Sequence, residues 1–288
     1  MTLSTNTAQP ARLIGIGLHS GERCSVEVAP AAAGAGILLA VCDGPFVRLS
    51  DISTTQMPLR TRILVKGVPV DTVEHMMAGL AISRLTDITL RFDGPEVPIL
   101  DGSAYPWVEF FRKFRLSRNL NLASERLEIV REAVYVFGGS EYILSPGNTA
   151  ISVEIDYSGT PIGCQSASFV EDEFPLMARA RTFCLERDVE QMKKGGLGKG
   201  GSLENAVVMG ERGPLNPEGL RMNHEFAAHK ALDLYGDLFL SGGSLDGSIR
   251  ARRPGHTSNA KLLSTALKDG TLRLRGHDAL EECPRLSA

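Results

Sequence analysis

Residues 223–240, NHEFAAHKALDLYGDLFL, read as one helix with two incompatible faces, and the rest of the chain has to be organised around it. At about 100° per residue, Ala227, Ala228, Ala231, Leu232, Leu234, Tyr235, Leu238 and Phe239 share a broad apolar side of the kind that packs into a core. On the opposite side Glu225, His229, Asp233 and Asp237 follow one another at i, i+4, with Lys230 flanking them close to Asp237. A solvated face would mix Lys, Glu and Gln. This one stacks an imidazole over two short carboxylates. His229 and Asp233, one turn apart, can both reach a single ion, because neutral imidazole and carboxylate oxygen are both ligands of Zn²⁺. The same spacing also serves a surface salt link, and the pair lacks a third ligand.

The 288 residues allow one large domain or two of roughly 100–150 residues, and 43% hydrophobic content is enough for full cores. A net charge of −3 and a pI near 6.1 give no footprint for nucleic acid. Residues 1–15 hold neither a basic n-region nor a long apolar run, and no stretch approaches ~18 apolar residues. The expectation is a cytoplasmic protein without stable membrane insertion. Cys24, Cys42, Cys164, Cys184 and Cys283 form an odd set with no CxxC pair, which points to free thiols rather than a disulfide framework or a cysteine-rich zinc site.

Strand-like runs occupy 24–30, 36–41, 46–50 and 60–67, separated by Gly, Pro and Asp. A helix beginning near Asp71 covers 72–85, followed by a strand at 87–94, a Pro-punctuated loop at 95–106, a second helix at 107–114 and a polar linker at 116–125. The second half repeats this plan: strands at 125–137, 141–146 and 149–157, the organising helix, the stretch 244–256 and a helix at 257–267. Two α+β domains of one design are therefore expected, at 1–120 and 125–288.

Asp71-Thr72-Val73-Glu74-His75 opens the first half's helix. Asp71 and Glu74 have the spacing of a capping box, which would leave His75 an ordinary helix residue. The other reading makes His75 the third metal ligand and Glu74 the base for a metal-bound water; two histidines, one carboxylate and an open position is the catalytic pattern of zinc. His256, in RRPGH, either caps the next helix or is aimed into a cleft as a cationic acid, with Asp237 a candidate for the carboxylate that keeps it protonated. Arg252 and Arg253 are solvated charges or a phosphate site. The glycine-dense stretch KKGGLGKGGS, 193–202, fits neither a Walker A loop nor a GxGxxG turn; it is a flexible loop or a close-approach wall for a ligand. His19, His224 and His277 have no matching partners, and His224 and His277 are expected at the surface.

GIGLHSG (15–21), TVEHMMAGL (72–80), DGPEVPILDGSAYPWV (93–108), ARTFCLERDVE (180–190), GGSLENAVV (200–208), LRMNHEFAAHKALDLYGDL (220–238) and RRPGHTSNAKLL (252–263), in this order, resemble the zinc-dependent UDP-3-O-acyl-N-acetylglucosamine deacetylases of lipid A biosynthesis. The resemblance implies two similar α+β domains, each a small, mostly antiparallel sheet packed with helices, with the active site between them. It implies hydrolysis of the 2-acetamido group of UDP-3-O-(3-hydroxyacyl)-N-acetylglucosamine, the committed step of that pathway, by a monomeric cytoplasmic enzyme. Carried over by position, His75, His229 and Asp233 would hold Zn²⁺ and Glu74 would be the base. His256, oriented by Asp237, would be the acid, and Thr182 would offer a hydroxyl to the tetrahedral intermediate. Lys230 and Arg253 would contact the phosphates, and Phe183 the nucleotide or sugar. The stretches 53–63, 82–88 and 241–251 depart from the family pattern and contain none of these residues. Alternatives are a paralogue acting on another N-acetyl sugar and a non-catalytic binder of sugar nucleotides or lipids; retention of both Glu74 and His256 argues against the binder.

Overall fold

A computed structural model describes residues 10–118, 120, 122–123 and 125–276. Expectations for residues 1–9, for His277 and for Cys283 fall outside the described residues. The first half runs β1 (Ala11–Ile16), β2 (Arg23–Pro30), β3 (Ile37–Val41), β4 (Val47–Arg48), β5 (Ser53–Met57), β6 (Arg60–Val65), β7 (Val68–Asp71), α1 (Glu74–Ser83), β8 (Ile88–Asp93) and α2 (Tyr105–Arg118). Five strands form one sheet in the order β1-β2-β8-β3-β4, antiparallel except where β3 runs parallel to β8. β5, β6 and β7 make a separate antiparallel sheet.

The second half runs β9 (Arg126–Ile129), β10 (Ala133–Phe137), β11 (Ser140–Ser145), β12 (Ala150–Tyr157), β13 (Gly163–Val170), α3 (Phe174–Met177), β14 (Phe183–Leu185), α4 (Glu186–Lys194), β15 (Val207–Gly210), β16 (Gly213–Pro214), α5 (Glu225–Phe239), β17 (Ser244–Asp246), β18 (Ser248–Arg252), α6 (His256–Lys268) and β19 (Leu272–Arg275). Its five-stranded sheet has the order β10-β11-β18-β12-β13, again antiparallel except for one parallel pair, β12 with β18. In both halves a strand formed after the helix, β8 or β18, enters the centre of the sheet and makes its parallel contact there. The repeat that the order of elements suggested is thus a repeat of connectivity, two α+β units of one design.

β12 shows the period-2 logic plainly: Ile151, Val153 and Ile155 are buried. The single strand expected over 125–137 is two strands in different sheets, because the chain bends at 130–132; β9 pairs with β17 and β19, β10 with β11. α2 continues four residues beyond the expected end at 114, with Trp107, Phe111 and Phe114 inward, so the linker begins later. The expected strand at 46–50 shortens to Val47–Arg48 and a single 3₁₀ turn.

α1 and α5 meet at the centre, inside one hydrophobic cluster that also takes in both five-stranded sheets. Their approach depends on Gly236, where a Cβ would sit 2.1 Å from the Glu74 carbonyl oxygen. Of α5's residues only Lys230 is not buried. Its polar stripe therefore faces the other half of the molecule instead of water.

Candidate metal centre and acid–base site

Sequence builds the α1 end of the site through the strand before it. β7 ends at Asp71, Thr72 takes a left-handed φ of 57°, and α1 starts at Glu74 with Val73 as N-cap and no side-chain cap. The capping box is not formed. Asp71 instead accepts hydrogen bonds from Arg60 Nε (2.8 Å) and Arg62 Nη2 (2.9 Å), and its carboxyl is held below its ordinary range: burial raises it, but the two guanidiniums outweigh that. Glu74 is freed to face inward, where Oε2 accepts the Thr61 N–H at 3.0 Å. Burial raises its pKa, with His256 and His75 opposing.

His75, His229 and Asp233 are all buried, and their ligating atoms lie within 4.8 Å of one another. Asp233 Oδ1 stands 3.5 Å from His75 Nε2 and 3.3 Å from His229 Nε2, and it has no hydrogen-bond partner among the described residues. A buried carboxylate oxygen left unpaired beside two imidazole nitrogens is costly unless something positive is shared between them. Tetrahedral ligands about 2.0–2.1 Å from one Zn²⁺ would stand roughly 3.3 Å apart, close to both distances. The donor set, two imidazoles and one carboxylate, fits that ion. His229 is pushed down to about 3, chiefly by burial against the opposing pull of Asp233, and its Nδ1 lies 3.1 Å from the Ala180 carbonyl. A neutral ring donating there from Nδ1 turns a bare Nε2 lone pair toward Asp233. Asp233 Oδ2 takes the Lys230 ammonium at 2.8 Å; Lys230 pairs here, not with Asp237 as its place on the helix suggested.

His256 is the first residue of α6, after Gly255 as N-cap, so it points into the cleft and is not the cap. Its Nδ1 is 2.9 Å from Asp237 Oδ2, which also accepts from Asn259 Nδ2 at 2.8 Å. Its Nε2 faces Glu74 Oε1 at 4.0 Å and Asp233 Oδ2 at 3.8 Å. Burial alone would lower the imidazole's pKa, yet Asp237, then Glu74, push it up to about 9. A buried carboxylate with raised proton affinity and an imidazole whose pKa is pushed up thus face each other beside the three groups that could hold a metal ion.

Glu74, His75, His229, Asp233 and His256 border a cavity of about 640 Å³ that Thr182, Phe183 and Lys230 also line; Asp237 stands behind His256, outside that lining. The Phe183 ring is 6.1 Å from His229, with Lys230 Nζ 5.7 Å above it. Arg253 is not among the lining residues: its amide donates to the Glu154 carbonyl and its carbonyl accepts from Ser140 Oγ. Glu225, on the same stripe, is absorbed by a buried ion pair with Arg181 (2.8 Å) and takes no part. His224 is exposed as expected. The glycine stretch forms part of the cavity wall, as the second reading has it, and also meets a further need. Gly200 donates to the Leu18 carbonyl, and a Cβ there would lie 2.2 Å from the Gly17 oxygen, so the glycines let the two halves' backbones touch, while Gly198 and Gly201 border the cavity.

Two residues escaped the sequence reading. His19, 4% exposed, lines the cavity with Nε2 unpartnered and Nδ1 accepting from the Gly198 amide. Its only local signal was the glycine-flanked GIGLHSG. Thr61 lies in one of the three stretches that depart from the family pattern and hold none of the proposed site residues, yet it touches Glu74, Asp237 and His256. No spacing rule could find it, since these partners are 13 to 195 residues away.

No helix of the described residues is long and apolar enough to cross a membrane. The family model for UDP-3-O-acyl N-acetylglycosamine deacetylase matches residues 5–268. Among curated relatives, the UDP-3-O-acyl-N-acetylglucosamine deacetylase of Myxococcus xanthus is 39% identical over 274 residues, 90% of this chain and 84% of its own length. Those of Geobacter sp. and Aquifex aeolicus are 37% and 34% identical, covering 93% of this chain and 90% and 94% of their own lengths. With a family model across nearly the whole length and relatives at 34–39% identity matched over 84–94% of their lengths, the chain belongs to the UDP-3-O-acyl N-acetylglycosamine deacetylase (LpxC) family.

Proposed function

We propose that this protein hydrolyses the 2-acetamido group of UDP-3-O-(3-hydroxyacyl)-N-acetylglucosamine, releasing acetate and the free amine, with Zn²⁺ held by His75, His229 and Asp233. The observation that carries this reading is the convergence, on one cavity wall, of an unpaired buried carboxylate oxygen between two imidazoles with a buried carboxylate facing a cationic imidazole at 4.0 Å. When bound, Zn²⁺ supplies Lewis-acid polarisation of the amide carbonyl and lowers the pKa of a water it holds. Glu74 is the base that takes the proton of the attacking water; the Thr61 amide fixes Oε2 and leaves Oε1 to act. His256 stabilises the developing oxyanion as a cation, then donates its Nε2 proton to the departing nitrogen, while Asp237 holds Nδ1. The C–N bond breaks as that proton arrives. Thr182 offers a hydroxyl to the same oxyanion, Phe183 packs on sugar or nucleotide, and Lys230 serves the phosphates, which Arg253 would meet only outside the cavity lining. Leu185, Val189, Met192, Leu203 and Val208, which also line the cavity, support an acyl chain as its occupant. The enzyme works as a cytoplasmic monomer, its two domains at 1–120 and 125–288.

The test is acetate release from UDP-3-O-(3-hydroxymyristoyl)-N-acetylglucosamine by purified protein, with chelator and with zinc restored. Chelator-sensitive, zinc-restored release is expected. Protein that holds one metal per chain yet releases no acetate would point to another N-acetylated sugar.

A further inference from the structure

The geometry points to Thr61 as a positioning residue that sets the spacing between base and acid across the two halves of the molecule. It occupies the second position of β6, where strand alternation sends Arg60 and Arg62 one way and Thr61 the other. Both arginines are fixed on Asp71, so the strand is anchored from the side opposite the site. Thr61 itself is 7% exposed. It makes four contacts with the catalytic region. Its amide donates to Glu74 Oε2 at 3.0 Å, and its carbonyl accepts from Val73 N–H, just before α1, at 3.4 Å. Its hydroxyl donates to Asp237 Oδ1 at 2.6 Å, and the same oxygen lies 3.1 Å from His256 Nδ1.

Asp237 shows why the hydroxyl matters. Oδ2 already serves His256 Nδ1 (2.9 Å) and Asn259 Nδ2 (2.8 Å). Oδ1 accepts from Thr61 Oγ1. With three donors on two oxygens the carboxylate has one orientation; without Thr61 it pivots on Oδ2, and the imidazole it holds pivots with it. The residue therefore joins the first half's base, through its backbone, to the second half's acid, through its side chain. Asp237 is 176 residues away in sequence, so only the fold can make this link. The inference rests on the proposed deacetylase chemistry for its kinetic meaning, while the hydrogen bonds stand apart from it.

Two variants in full-length, zinc-loaded protein separate this role from packing. Thr61→Val keeps the volume and the amide but removes the hydroxyl; Thr61→Ser keeps the hydroxyl and loses a methyl. The expected result is a fall in kcat of about 10- to 100-fold for Thr61→Val, with KM and zinc content unchanged, and activity within about threefold of the parent for Thr61→Ser. A Thr61→Val enzyme with the parent kcat overturns the proposal. So does a soluble Thr61→Ser enzyme that has lost about tenfold or more, which settles the matter even where the valine variant fails to fold. If the parent itself releases no acetate, the deacetylase reading fails separately, and the proton NMR resonance of His256 Nδ1–H decides on Thr61. It is expected to shift or broaden in Thr61→Val and to stay in place in Thr61→Ser; an unmoved resonance in both refutes the positioning role.

Discussion

α1 and α5 are the central helices of their halves, they pack on each other, and each carries part of the site; yet they carry it differently. In α5 the polar residues form a stripe about two turns long, His229, Asp233 and Asp237, buried along with the helix's apolar side. In α1 they are two adjacent residues in the first turn, Glu74 and His75, followed by a segment buried nearly all round. On the proposed chemistry, a stripe at i, i+4 aligns ligands for one ion and places the next carboxylate one turn deeper for the acid. Adjacent residues point about 100° apart, so one can serve the metal while its neighbour serves the water. The difference teaches that division of labour: α5 lines up residues of one task after another, whereas α1 splits two tasks at a single corner.

The sharpest way to break this comparison is to alter each helix's contribution and measure metal and turnover separately. Glu74→Ala should retain about one zinc per chain and lose about 10²- to 10⁴-fold in kcat, the range for a positioned general base. His75→Ala and Asp233→Ala should lose the zinc itself, read by metal analysis after dialysis. Full activity in Glu74→Ala would dissolve the split at the α1 corner.

A smaller effect is expected where the helices touch. Alanine is intrinsically favoured over glycine in a helix by about 1 kcal/mol. At Gly236 the added Cβ would meet the Glu74 carbonyl at 2.1 Å, and backbone cannot swing aside as a flexible side chain can. Overpacking of this kind costs about 1–3 kcal/mol, so Gly236→Ala should be destabilised on balance in urea unfolding. Because the ligands come from both helices, its zinc affinity should fall as well. A stabilised variant with unchanged affinity would show that α1 and α5 need not be held this close.

Acid chemistry gives the next test. His256 is raised to about 9, burial opposing and Asp237 leading the upward pull. The protonated acid is therefore present below that value and lost as pH rises through it. Asp237→Asn removes the leading upward influence, and the high-pH limb of kcat should move down by about one unit or more. An unmoved limb would mean that another group titrates there.

How much of this was legible follows from where each signal is stored. α5 was readable from its periodicity, and His75 and His256 stood out as candidates from their places near helix starts, because those patterns are local. The α1 corner was ambiguous, since Asp71 and Glu74 have cap spacing and only the arginines of β6 decide otherwise. α4 presents no buried residue, so it had no apolar stripe to betray it. The break between β9 and β10 was hidden because both halves of that run are strand-like and only their choice of sheet differs. Thr61 was invisible for the deepest reason: its chemistry lies in contacts between elements far apart in sequence.

The arginines of β6 allow a last and smaller test of the α1 side. Asp71 has a folded-state pKa below its ordinary value: burial raises it, and hydrogen bonds from Arg62 and Arg60 more than reverse that. A depressed folded pKa means that the stabilisation is fully present above the unfolded value, about 3.9, and is lost as pH falls through the folded one. Asp71→Asn should then cost about 1–2 kcal/mol at pH 7, as expected for partly exposed charge-assisted hydrogen bonds, one of whose arginines is buried. The gap between variant and parent should close as urea melts are repeated toward pH 3. Zinc content should hardly change, since Asp71 anchors the strand and touches no ligand. A gap that persists unchanged at low pH would show that Asp71 acts through shape and not charge, and that β6 is fixed at α1 by packing alone.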